Sequence, residues 1–158
     1  MPAAPSNCIT FLVDGQLFGV PATEVLELAR FHPLTRVPLA PPAVAGLMNL
    51  RGQVVTAVEL RCRLGLRPRP AGQVPMNVVL RREDVLVSLL VDQVGEVLEL
   101  DEATFEPPPE TLRGLARELV RGVYKLPGRL LLLLDAQKVI AGLAVGSRRP
   151  SLVAAPAL

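Results

Sequence analysis

Apolar positions along the chain fall into pairs of short runs, each pair split by a tight polar turn and followed by a shorter mixed segment. The unit recurs four times. Residues 9–13 and 16–20 flank Asp14-Gly15 and lead into 22–29. Residues 44–50 and 54–58 flank Arg51-Gly52 and lead into 59–64. Residues 76–81 and 85–91 flank Arg82-Glu83-Asp84 and lead into 92–98. Residues 119–126 and 129–134 flank Pro127-Gly128 and lead into 135–143. Asp-Gly between apolar runs is a strong hairpin signal, because both central residues of the favoured turn need positive φ. The pattern predicts four β-hairpins. The segments after them read as helix-like, three of them opening on an acid (Glu59, Asp92, Asp135) that suits a helix N-terminus.

Several strands are apolar at every position, above all 130–134 and 85–91. Continuous runs need cover on both faces. Two small barrels packed together provide it, one residue pointing into its own barrel and the next into the interface. The fold expected is therefore mainly β: two packed five-stranded antiparallel β-barrels with short helices and a C-terminal helix. Residues 67–75 hold three prolines and a glycine and are read as the division between the two sub-units. Residues 101–109 end in Pro107-Pro108-Pro109 and read as a stiff extended crossing; residues 112–118 add a helical turn. The domain is placed at 9–146, with a flexible N-terminus at 1–8 and a flexible Arg-, Pro- and Ala-containing tail at 147–158.

Composition narrows the chemistry. Half of the 158 residues are hydrophobic, but there are only four Phe, one Tyr and no Trp, so the core is built from Val and Leu. The net charge is +2, no Lys/Arg run is long, and stacking aromatics are missing, which argues against nucleic acid. No apolar run approaches the ~20 residues that span a bilayer, and the N-terminus has no signal-peptide pattern, so a cytoplasmic protein without membrane insertion is expected. Cys8 and Cys62 read as buried thiols of a reducing compartment, Cys62 as a small apolar residue of a short helix. With one histidine (His32, read as an exposed loop residue) they form no metal set. Phosphate-loop and nucleophile-elbow patterns are missing, general bases are scarce, and Glu24 with Glu27 reads as a solvated edge. A binding module without cofactor or catalytic residues is expected.

The residues Gly46-Leu-Met-Asn-Leu-Arg-Gly-Gln-Val-Val-Thr-Ala-Val-Glu-Leu-Arg61 resemble the signature of the CheW family, the coupling proteins of bacterial chemotaxis arrays. Further matches follow in order at 25–28, 90–98, 122–126 and 131–135, so the resemblance runs from about Ile9 to Leu143. It implies a non-enzymatic adaptor of two-barrel fold. Its partners would be the regulatory domain of a CheA-type histidine kinase, at a surface of the first barrel, and the cytoplasmic tip of methyl-accepting chemoreceptors, in the inter-barrel groove. The alternative it leaves open is an adaptor of a non-chemotaxis pathway such as motility reversal or development. Carried over by motif, the partner-binding set is Val25, Glu27, Gly46, Asn49, Leu50, Arg51, Gly52, Val94 and Val97. Val94 and Val97, three apart, are expected on one face of a helical turn. Asn49 is expected as the hinge of the central hairpin, and Gly46 at a close approach of a partner or a strand. Arg51 and Glu27, each a lone charge in an apolar stretch, are expected to pair. The departures are Glu59 where the family has Asp, a third hairpin without Gly whose turn is expected to be longer, and the tail.

Overall fold

A computed structural model describes residues 7–143. Most of the flexible N-terminus expected at 1–8, the end of the domain at 146 and the tail at 147–158 lie outside the described residues. The first strand begins at Asn7, two residues before the expected domain start.

The four hairpins form as the pattern predicts. They are β1 (Asn7–Val13) with β2 (Gln16–Pro21), β4 (Val44–Leu50) with β5 (Gln53–Glu59), β6 (Met76–Arg82) with β7 (Val85–Val91), and β10 (Val120–Leu126) with β11 (Arg129–Leu134). Three turns carry a non-glycine residue at positive φ: Asp14 at 52°, Arg51 at 54° and Glu83 at 56°. The third turn is not lengthened, since Arg82 pairs directly with Val85 and Glu83 adopts the left-handed conformation itself.

Two of the four helix-like segments are instead strands. Residues 22–29 form a single 3-10 turn and then β3 (Val25–Ala29), and residues 93–99 form β8 (Gln93–Glu99). Their short apolar–acidic patterns fit an amphipathic helix and a half-buried edge strand about equally, and the free sheet edge decides. The other two segments are helical: α1 (Leu60–Arg63), capped by the Glu59 carboxylate, and α3 (Ala136–Ile140), capped by Asp135. Between them come β9 (Phe105–Glu106), after a 3-10 turn, and α2 (Gly114–Leu119).

The sheets do not divide the chain at 67–75. The first hairpin joins the fourth through a parallel β2–β11 pairing, and the second joins the third through a parallel β5–β7 pairing. The result is a six-stranded sheet, β8-β1-β2-β11-β10-β9, and a five-stranded sheet, β3-β6-β7-β5-β4. Each hairpin-to-sheet crossing donates an edge strand: β3 follows the first hairpin into the other sheet, and β8 follows the third hairpin back. Both sheets are open in their hydrogen bonding rather than closed antiparallel barrels.

The alternation of side chains is nevertheless that of two packed sub-units. Leu131 and Leu133 face a core with Cys8, Leu17, Leu100 and Tyr124, while Leu132 and Leu134 face the large core between the sheets. Val78 and Leu80 face that shared core, and Val79 points the other way to Met48, Leu50 and Val55. Burial on both faces explains the uninterrupted leucines and valines.

Candidate functional site

The central turn joins β4 to β5 at Arg51-Gly52. Positive φ falls on Arg51 and Gly52, not on Asn49. Asn49 stays in the strand, and its Oδ1 accepts a hydrogen bond from the Gly52 N–H at 2.9 Å, locking the turn from outside. With the turn fixed, the Arg51 guanidinium meets Glu27 of β3 as a fork: Nε to Oε1 at 3.1 Å and Nη2 to Oε2 at 3.1 Å. Such paired hydrogen bonds orient a guanidinium as well as attract it. The hydrogen bonds from Arg51 hold the Glu27 carboxyl below the usual carboxylate range. The Arg51 side chain remains 75% exposed.

This pair has a structural consequence. β3 and β4 are the opposite edges of the five-stranded sheet, so the fork spans the gap that the ladder leaves open. The connecting segment 30–43 helps to cover the same gap. Thr35 exchanges backbone hydrogen bonds with Leu47 at 2.7 and 2.8 Å. Gly46 lies under that segment: a Cβ built there would sit 2.7 Å from the Thr35 carbonyl oxygen. The close approach expected at Gly46 is thus made by the protein's own backbone. Leu50 is buried in the sheet's inner core and contributes packing rather than contact surface.

Val25, Val94 and Val97 lie elsewhere, along the seam between the sheets. β8 comes against β6, whose ladder neighbour is β3, so the two exchanged edge strands border one mouth of the seam. Val94 and Val97 do share a face, but a β-bulge puts them there rather than a helical turn. They pair with Phe11 and Ile9, two apart on β1, so β8 spends one extra residue between them. Thr10 Oγ1 donates to the Glu96 carbonyl at 2.6 Å within the bulge. A Cβ at Gly95 would sit 2.6 Å from that same hydroxyl, which is why glycine stands there. β3 is bulged as well, between Val25 and Glu27. Val25 and Val94 pack against the shared core, while Val97 is 59% exposed and Leu28 also open.

On the outer side of the five-stranded sheet an open depression of about 450 Å³ is lined by His32, Pro33, Thr35, Leu47, Met48, Asn49 and Val54. His32 lines it half-buried rather than fully exposed, its Nδ1 2.9 Å from the Arg30 carbonyl. Cys8 is buried, and burial pushes its thiol up to about 11; Cys62, read as an apolar helix residue, is exposed. Among the described residues no group of three or more His, Cys, Asp or Glu could hold a metal ion, and no helix is long and apolar enough to cross a membrane.

One cluster escaped the sequence reading. Arg61, with its side chain only 4% exposed, forks onto Asp92, Nε to Oδ1 at 3.1 Å and Nη2 to Oδ2 at 2.7 Å. Its Nη1 donates to the carbonyls of Arg67 and Pro68 at 3.2 and 3.3 Å. Arg69 reaches Asp92 Oδ1 at 3.0 Å and also pairs with Glu59, and the Asp14 N–H donates to Asp92 Oδ2 at 2.7 Å. Burial pushes the Asp92 carboxyl up, but the hydrogen bonds from Arg61, the Asp14 backbone and Arg69 outweigh it and hold the carboxyl low. The only sequence signals were an Arg, one of two in a short helical turn, and an Asp at the end of an apolar strand.

The CheW-like domain family model matches residues 7–144. The chain is 32% identical over 131 residues to the chemotaxis protein CheW of Rhizobium meliloti, covering 83% of this chain and 84% of that protein. It is 27% identical over 116 residues to Protein PilI of Pseudomonas aeruginosa, covering 73% of this chain and 65% of that one. Among solved structures it is similar to the scaffolding protein TtCheW of Thermoanaerobacter tengcongensis, with a TM-score of 0.75 and 25% identity over 84% of this chain and 90% of that one.

Proposed function

The chain belongs to the CheW family, and we propose that it is a non-enzymatic adaptor coupling chemoreceptors to a CheA-type histidine kinase in a chemosensory array. The observation that carries the reading is the Arg51–Glu27 fork, an oriented guanidinium at the tip of the family's signature hairpin. Held by Glu27 on one side, Arg51 keeps Nη1 free of intramolecular hydrogen bonds among the described residues, available to a partner carboxylate or carbonyl. Val25, Val94 and Val97 supply an apolar strip at the mouth of the seam. Both strands bordering that mouth carry a bulge, and bulged edges pair poorly with an added strand. This favours a helical partner, docking by apolar anchors with a charged rim, and so the helical tip of a receptor. The kinase regulatory domain is assigned to the five-stranded sheet, where Val54 and the depression beside it are exposed. The protein would work in the cytoplasm, recruited to arrays at the inner face of the membrane.

The test is reconstitution of an array with receptor, kinase and this protein. The reading predicts kinase activity that depends on the adaptor and responds to receptor signalling state. Kinase activity indifferent to the protein with every receptor of its own cell would refute it. The similarity to PilI favours a second reading, an adaptor of a non-chemotaxis chemosensory pathway. Substituting the kinases of the competing pathways into the same assay separates the two.

A further inference from the structure

The two exchanged strands are anchored by different means. β3 is tied near its middle by Glu27 to Arg51. β8 is tied at its root, because Asp92 is the single residue between β7 of one sheet and β8 of the other. We infer that the buried Arg61–Asp92 clamp, with Arg69 and Asp14, positions β8 and thereby sets the spacing of the seam mouth that a partner helix enters. The inference rests on the function proposed above.

Both Asp92 oxygens are used twice: Oδ1 by Arg61 and Arg69, Oδ2 by Arg61 and the Asp14 backbone. The Asp92 N–H donates to the Leu12 carbonyl at 2.9 Å. Position and direction are therefore defined at the residue from which β8 departs. The partners come from four places: the β1–β2 turn (Asp14), the β5–α1 junction (Glu59, Arg61), the start of the 67–75 connection (Arg67, Arg69) and the crossing itself. The acids Asp14, Glu59 and Asp92 are matched by Arg61, Arg67 and Arg69, so the cluster is neutral. Buried ion pairs add little net stability compared with apolar packing of the same volume, whereas their hydrogen bonds fix direction. Val94 and Val97 lie two and five residues beyond Asp92, so a rotation at the clamp displaces both. Beyond the root β8 has, among the described residues, a ladder partner on one side only, and a bulge interrupts that ladder. The clamp thus adds, at the root of the groove wall, a directional restraint to the one the β1–β8 ladder supplies along its length. Asp92, Arg61 and Arg69 are positioning residues; no partner contact is assigned to them.

The test uses the full chain with Asp92→Asn and, as a milder change, Arg69→Met. Amide hydrogen exchange is followed in the free protein. Binding is titrated with a soluble chemoreceptor hairpin-tip fragment and, separately, with a kinase regulatory domain. The expected result is exchange in β8 that rises at least about tenfold more than the rise β6 and β7 share through lost global stability. The receptor fragment should bind about fivefold more weakly, and the kinase domain within about twofold of wild type. If Asp92→Asn does not fold, Arg69→Met decides on the same readouts with smaller shifts. Exchange that rises evenly through both sheets, or β8 protection and receptor affinity both unchanged in a folded variant, would overturn the inference. A wild-type protein that binds no receptor fragment defeats the functional reading instead, and β8 exchange alone then decides the clamp.

Discussion

Two arginine–carboxylate forks share one geometry and differ in everything around it. In the Arg51–Glu27 pair the arginine is 75% exposed and keeps donors in hand. In the Arg61–Asp92 pair it is 4% exposed, and every terminal nitrogen is engaged by a carboxylate or a carbonyl. Water screens the first pair, so it contributes orientation and little stability. The second pair has given up its hydration and must be complete, because an unmatched buried charge is costly. The contrast separates two uses of one chemistry: a guanidinium presented to a partner, and a guanidinium consumed in holding the scaffold that presents it.

Breaking the buried fork should have the largest effect. Asp92→Ala strips the buried Arg61 of its forked partner, leaving Asp14 at 3.8 Å as its nearest carboxylate, and should cost about 3–5 kcal/mol in urea unfolding. Replacing both partners by apolar residues, Arg61→Met with Asp92→Leu, should cost less than the single change, since no orphan charge remains. Gly46→Ala tests the cover beside the exposed fork. Its Cβ would meet the Thr35 carbonyl oxygen at 2.7 Å on a backbone at φ 155°, and a loss of about 1–3 kcal/mol is expected from chemical denaturation.

Acid sharpens the comparison. The Asp92 carboxyl is held low in the folded protein, so its stabilisation is fully present above the unfolded carboxylate value of about 3.9 and is lost as pH falls through the lower folded value. Stability followed by denaturant melts from pH 6 down to about pH 2 should therefore drop most steeply below that value. Asp92→Asn should flatten the drop. The smallest effect on the fold is expected from Arg51→Ala, which should leave the melting temperature essentially unchanged while binding of a receptor hairpin-tip fragment weakens about tenfold.

The parts legible in the sequence were those set by neighbours along the chain. Asp14-Gly15 and Arg51-Gly52 announced turns that need positive φ, and Glu59 and Asp135 announced helix caps. The unbroken runs at 85–91 and 130–134 announced strands covered on both faces. What stayed hidden depends on which strand meets which. Nothing in residues 22–29 or 92–98 states that a sheet edge in the other half of the molecule is waiting, so both were read as helix-like. The shared face of Val94 and Val97 was inferred from the wrong period, and the bulge at Gly95-Glu96 restored it. The Arg51–Glu27 pairing was legible because each charge stood alone among apolar residues at a family position. The Arg61–Asp92 clamp was not, because Arg61 has the charged Glu59 and Arg63 two positions away on either side and its partner lies 31 positions away.

The central claim is that Glu27 holds Arg51 in the orientation a receptor reads. A double-mutant cycle, Arg51→Ala, Glu27→Ala and both together, measured as binding of a receptor hairpin-tip fragment, tests it most directly. The account predicts strong coupling: with Arg51 already removed, losing Glu27 should change affinity little further. Losses that simply add would contradict it.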